Sequence, residues 1–108
     1  MNMNTTIKIH GDEYKLNYSL KAIFYYEMDT ERKFDVNTLM DSYLLFYYFL
    51  LASNPEFKYD YDEFIEYNNE DPTLILQFND FLEANNKERE TLVKDYYNKK
   101  KKAKKESQ

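Results

Sequence analysis

Tyr43–Ala52 reads YLLFYYFLLA, ten residues with no charge and no side-chain amide. As a helix this stretch is about 15 Å long, half of what a bilayer needs, so it is not a membrane span. A strand of that length without polar alternation or a turn residue is disfavoured against a helix buried on most sides. The stretch is therefore read as a central helix over about residues 38–53. Leu39 and Met40 lie in its first turn, Asp35 or Asn37 is available as its cap, and Asn54-Pro55 stops it.

Upstream, Thr6-Ile7-Lys8-Ile9-His10 alternates apolar and polar, Gly11-Asp12 is a turn pair, and Glu13–Asn17 alternates again. The pattern predicts a hairpin with Ile7, Ile9, Tyr14 and Leu16 on one buried face. Two strands need support, and the segment that follows is the natural candidate. Ser19 is a suitable N-cap there, and Leu20, Ile23, Phe24 and Met28 recur at helical spacing to about Asp29. Phe34 is an isolated ring expected to plug into the core.

Downstream, Tyr59–Asn68 carries Tyr61, Phe64 and Ile65 on one side and acids on the other, the pattern of a short amphipathic helix. Asp71-Pro72 opens a further helix lined by Leu74, Phe78, Phe81 and Leu82. Asn85-Asn86 is a candidate break before a last helix with Leu92, Val93, Tyr96 and Tyr97. From Asn98 on, the lysine-rich run has no apolar face to bury. The expected fold is mainly α: an N-terminal β-hairpin and four or five helices around the central one. Residues 1–97 form one domain, and 98–108 a mobile basic tail.

Composition limits function. With 108 residues there is room for one core, and Tyr 12 with Phe 8 supplies much of it. Gly 1 and Pro 2 suit helices, and the absence of Cys excludes disulfides and thiolate metal sites. These features fit a soluble cytoplasmic protein. Charge is uneven: residues 1–86 hold six Lys/Arg and sixteen Asp/Glu, a net of −10, whereas residues 87–108 hold nine and four, a net of +5. An acidic body with a basic tail can pair with itself, with another copy, or with a partner of either sign.

On a helical wheel Thr38, Asp41, Ser42 and Ser53 share an arc with Leu45, Tyr48 and Phe49. Short polar residues among large apolar ones suit a surface covered in a complex. The alternative is that the C-terminal helix covers this arc within the chain. The candidate partner-binding residues are Leu45, Tyr48 and Phe49, with Tyr25 as a lesser one. On the interface reading, Leu45→Asp leaves the monomer folded and abolishes association.

Other candidates are weaker. His10 is the only histidine, and no Ser or carboxylate arrangement accompanies it. Asp60, Asp62, Glu63, Glu66, Glu70 and Asp71 are acidic, but the Gly that a calcium loop needs is missing, so a solvated helix face is favoured. Tyr25-Tyr26, Tyr47-Tyr48 and Tyr96-Tyr97 sit largely in an acidic body, unlike a stacking platform for nucleic acid. Lys99–Lys105 can hold phosphate only without sequence preference. No phosphate-binding, metal-ligand or nucleophile motif is present, so neither an enzyme nor a cofactor is expected.

Two runs carry a family likeness. The first is Ile7-x-Ile-x-Gly-x-x-Tyr14. The second is Leu20-x-Ala22-Ile23-x-x-Tyr26-Glu27-x-x-Thr30-x-x-x-Phe34, with the apolar helix and Asn54-Pro55 behind it. Over roughly residues 7–55 this resembles the small tail assembly chaperones of long-tailed (siphovirus-like) phages and prophages. That family commonly has Gly after the Thr, where this chain has Glu31. The resemblance implies a non-enzymatic protein that binds the tape measure protein, helps recruit tail tube subunits, and stays in the host cytoplasm and out of the finished virion. It also implies that Lys99–Lys102, if encoded by consecutive AAA codons, could serve as a frameshift site; an ordinary solubilising tail is the alternative. Two other classes remain open: a small phage or mobile-element regulator that binds nucleic acid, and a structural tail-completion or adaptor subunit.

Overall fold

Ile9-His10-Gly11-Asp12 sets the first piece of structure. A computed structural model describes residues 4–30 and 38–106, and in it β1 (Asn4–Ile9) pairs antiparallel with β2 (Asp12–Asn17), Ile7 facing Tyr14 and Ile9 facing Asp12. The turn is His10-Gly11, one residue earlier than the sequence suggested. Both residues have positive φ, 52° and 85°, as a two-residue turn matched to strand twist requires. A Cβ on Gly11 would meet nothing within 4 Å, so glycine is used there for its backbone freedom alone. Ile7, Ile9 and Leu16 are buried and Tyr14 is half-buried, as the alternation predicts.

Four helices follow: α1 (Leu20–Thr30), α2 (Leu39–Ser53), α3 (Tyr61–Glu70) and α4 (Thr73–Glu106). Ser19 caps α1, its Oγ accepting from the Ala22 N–H at 3.2 Å. Thr38 caps α2, its Oγ1 accepting from the Asp41 N–H at 3.1 Å. The expected contribution of Phe34, and the alternative caps Asp35 and Asn37, lie outside the described residues. Asp60 and Glu63 form a reciprocal capping box on α3. Two members of the acidic run therefore have a structural task. The Asp71 carboxylate accepts from the Thr73 N–H at 3.0 Å and so starts α4 beside Pro72.

The core is a ring stack around α2. Phe46 lies flat on Phe78, centroids 4.8 Å apart, and edge-on to Phe64 at 5.0 Å. Phe49 meets Phe78 at 5.5 Å, Phe81 at 5.9 Å and Tyr18 at 6.0 Å. The hairpin rests on α2 and α4 rather than chiefly on α1, which packs beside α2. Its tip is tied to α3 and to the connection before it: His10 stacks on Tyr67 of α3 at 4.3 Å, and the Tyr59 hydroxyl donates to the Asp12 carboxylate at 3.0 Å. That hydroxyl and the Lys58 ammonium hold the Asp12 carboxyl below its ordinary value.

The end of α2 also closes the outer edge of β2. The Asn54 side chain accepts from the Lys15 N–H at 3.0 Å and donates to the Lys15 carbonyl at 2.9 Å. Next to it, Ser53 Oγ accepts from the Asn17 N–H at 3.0 Å. Two side chains thus stand in for a third strand. Asn54→Ala removes both Lys15 bonds and the Nδ2 bond to the Leu50 carbonyl. The expected cost is about 1–3 kcal/mol, read as a fall in melting temperature of roughly 5–15 °C.

In two places α4 departs from expectation. It does not break at Asn85-Asn86, because Asn85 is buried and its Nδ2 donates to the Phe81 carbonyl at 2.9 Å. Nor does it end before the lysine run, which continues as helix to Glu106. Lys, Ala and Glu are good helix formers, and lysines near a helix C-terminus meet its negative pole. The expected mobile tail from Asn98 onward is therefore the end of a 34-residue helix.

Candidate partner-binding surface

Leu45 and Phe49 are both 0 % exposed, so they do not form a surface. The arc expected as an interface is covered from within the chain, Phe78 and Phe81 of α4 lying on Phe49. Asp41, on the same arc, is buried too. Tyr48 is half-buried and donates its hydroxyl to the Asp29 carboxylate at the end of α1. Burial, and next that bond, push the Tyr48 hydroxyl well above its ordinary value, so it stays a donor. Of the four candidates only Tyr25 remains clearly exposed, at 40 %, with the Lys21 ammonium 5.6 Å from its ring centre.

Uncovered apolar side chains lie elsewhere: Leu39 and Met40 in the first turn of α2, Leu76 on α4, and two longer stripes. On α1, Leu20, Phe24 and Met28 are spaced by four residues and are 49 %, 54 % and 71 % exposed. They share one face, flanked by Tyr25. The opposite face of α1, with Ala22, Ile23 and Tyr26, is the buried one. Both faces of this helix are apolar at helical spacing, so periodicity alone could not say which one meets α2. Ala22 is the signal that was available, since a small side chain lets two helix backbones approach.

The second stripe is on α4. Phe78, Leu82, Asn85 and Arg89 follow one another at intervals of three and four and face the body. Arg89 marks its limit, with the guanidinium 4.3 Å from the Tyr18 ring centre. The same spacing then continues through Leu92 and Tyr96 with Val93 and Tyr97 beside them, and all four are exposed. An open cleft of about 550 Å³ lies where helix and body part, lined by Tyr18, Asn86, Arg89, Glu90, Val93 and Lys94.

The remaining features are surface chemistry. His10 is exposed and engaged with Tyr67 and Tyr59 rings. Among the described residues no three His, Cys, Asp or Glu side chains gather as a metal site. No described helix is long and apolar enough to cross a membrane. The clefts bring together amides, hydroxyls and apolar groups, with charged side chains in three of them. One of about 410 Å³ between β1 and α4 is lined by Thr6, Gln77, Asp80 and Asn85, among others. No protein-family model, no curated protein and no solved structure matches this chain.

Proposed function

We propose that this chain is a tail assembly chaperone of a long-tailed phage or prophage. In this role it is a non-enzymatic protein that binds the tape measure protein and helps recruit tail tube subunits. The observation that supports the reading best is the uncovered α1 stripe of Leu20, Phe24 and Met28. It falls within residues 7–55, where the resemblance to that family lies. A ridge of three long side chains on a short rigid helix suits the apolar face of a partner helix.

The partner such a ridge fits is the apolar face of an amphipathic helix, and long helical tape measure proteins can supply such segments.

The test is co-expression with the tape measure protein of the same phage, followed by pull-down. Wild-type chain retains it, whereas Phe24→Asp with Met28→Asp reduces capture at least tenfold with an unchanged melting temperature. Equal capture by the double variant rules out the α1 stripe. Chain found in purified virions would overturn the chaperone assignment in favour of a structural adaptor. Retention on DNA or RNA that falls with salt and needs Lys99–Lys105 would favour a nucleic-acid-binding regulator.

A further inference from the structure

We propose that the free edge of β1 and the cleft beside it receive an extended segment of a partner protein. The segment adds as a third strand and carries a Lys or Arg side chain into the cleft. The surface is separate from the α1 stripe, and so are the tests.

The first argument is the register of the hairpin. Ile9 and Asp12 flank the two-residue turn and form its closing hydrogen-bonded pair, so bonded and non-bonded pairs alternate from there. Thr6 facing Lys15 and Lys8 facing Glu13 are therefore non-bonded pairs, and their main-chain groups point away from the opposite strand. On β2 the consequence is visible, because Asn54 takes both the N–H and the carbonyl of Lys15. On β1 no described group takes those of Thr6 or Lys8. One edge of the sheet is closed by side chains, and the other keeps a row of donors and acceptors at strand spacing.

The second argument is the cleft of about 410 Å³ between β1 and α4. Because α2 packs on β2 and α4 on β1, this cleft lies on the free side of the hairpin. Ile7, Leu16 and Phe81 give it an apolar floor. Its polar lining offers acceptors. Asp80 is exposed and has no partner among the described residues. Asn85 is buried with its Nδ2 already committed to the Phe81 carbonyl, while its Oδ1 receives no donor. In a strand laid antiparallel to β1, residues opposite Thr6 and Lys8 supply the main-chain bonds. The residue between them, opposite Ile7, turns its side chain to the Ile7 face and so toward α4. A Lys or Arg at that position lays its methylenes along the apolar floor and brings N–H donors among these acceptors. Main-chain bonds to an edge, with a pocket for an alternate side chain, are the two elements of strand addition.

The third argument selects the occupant. Residues 1–86 carry a net charge of −10, which attracts a basic segment and opposes a second copy presenting the same edge. The chain's own lysine run cannot serve, because it is held in α4 as far as Glu106. An extended basic segment of another protein satisfies the edge, the cleft and the charge together.

The probe is the peptide acetyl-Thr-Val-Thr-Arg-Thr-Val-Thr-amide, titrated into the nitrogen-15-labelled full chain. Amide signals should shift saturably over residues 4–9 and 77–85, with a dissociation constant on the order of 100 µM. Methylating the amide nitrogen of either Thr beside the Arg removes a bond to β1 and should abolish binding. Methylating that of the Arg, which points away from β1, should change affinity by less than about twofold. Asp80→Lys, at an exposed position, should weaken the Arg peptide at least about fivefold and strengthen a Glu peptide in its place. Thr6→Pro should lose binding with a melting temperature within about 5 °C of wild type, since the Thr6 N–H takes no part in pairing with β2. No saturable shift up to about 5 mM peptide overturns the proposal. So do equal binding of the Thr-methylated peptides, and shifts confined to α1 or to the far half of α4. Argininamide binding as tightly as the peptide would make this a small-cation pocket. A free chain that is dimeric by sedimentation velocity, and monomeric as Thr6→Pro, would give the edge to a second copy. Either result overturns the partner strand.

Discussion

Leu45→Asp is expected to abolish folding of the monomer. Leu45 is completely buried in α2, and a carboxylate placed there would lose its hydration without gaining a designed partner. The cost of an unpaired buried charge is several kcal/mol, comparable with the whole stability of a domain this size. Far-UV circular dichroism and a one-dimensional proton spectrum would show loss of the cooperative transition and of dispersed methyl signals. A variant that keeps the wild-type melting temperature would mean that this side of α2 is not sealed within the chain. Sequence patterning led to the opposite expectation, a folded monomer that no longer associates. The burial of Leu45 and Phe49 decides between them.

Phe46→Ala carries the second large effect. Its ring is stacked on Phe78 and edge-on to Phe64, so it joins α2 to both α4 and α3 at one point. Truncation opens a cavity among rings held by their own helices, which leaves little room for collapse. The expected loss is about 3–5 kcal/mol, seen as a melting temperature lower by more than roughly 15 °C. Phe46→Leu, which keeps much of the volume, should recover about half of that loss. Wild-type stability for Phe46→Ala would show that the three helices are held by other contacts.

Much of the architecture could be read from local chemistry. The alternation of Ile7, Ile9, Tyr14 and Leu16 gave the hairpin face. The apolar run of Tyr43–Ala52 gave the central helix, with its observed limits within a residue of those inferred. Asp71-Pro72 marked the start of α4. These signals are local: each depends on spacing within one element, and tertiary packing agreed with them.

What was missed depends on non-local facts. Asn85 reads as a helix breaker by its propensity, but its amide is inside the body and bonded to the Phe81 carbonyl of the preceding turn. There the cost of an ill-suited residue is offset by burial of the neighbouring rings. The candidate surface failed for a similar reason. An arc of Thr38, Asp41, Leu45, Tyr48 and Phe49 looks half-polar when viewed alone. What comes to lie on it is set by how α1 and α4 pack against α2, Tyr48 bonding to Asp29 of α1 and Phe49 meeting Phe78 and Phe81 of α4. Once α1 and α4 have packed on α2, the large side chains left over include those on the far face of α1, Leu39 and Met40 at the start of α2, and those on the length of α4 that outruns the body.

Ser53 and Asn54, seated along the outer side of β2, also limit how this protein can polymerise. A sheet open on both sides can recruit copy after copy into a fibre, each newcomer presenting a fresh template to the next. Here a strand that added to β1 would bring its own sealed β2 with it, and growth would terminate at one addition. For a chain rich in tyrosine and phenylalanine, that permits crowding without runaway strand-to-strand stacking.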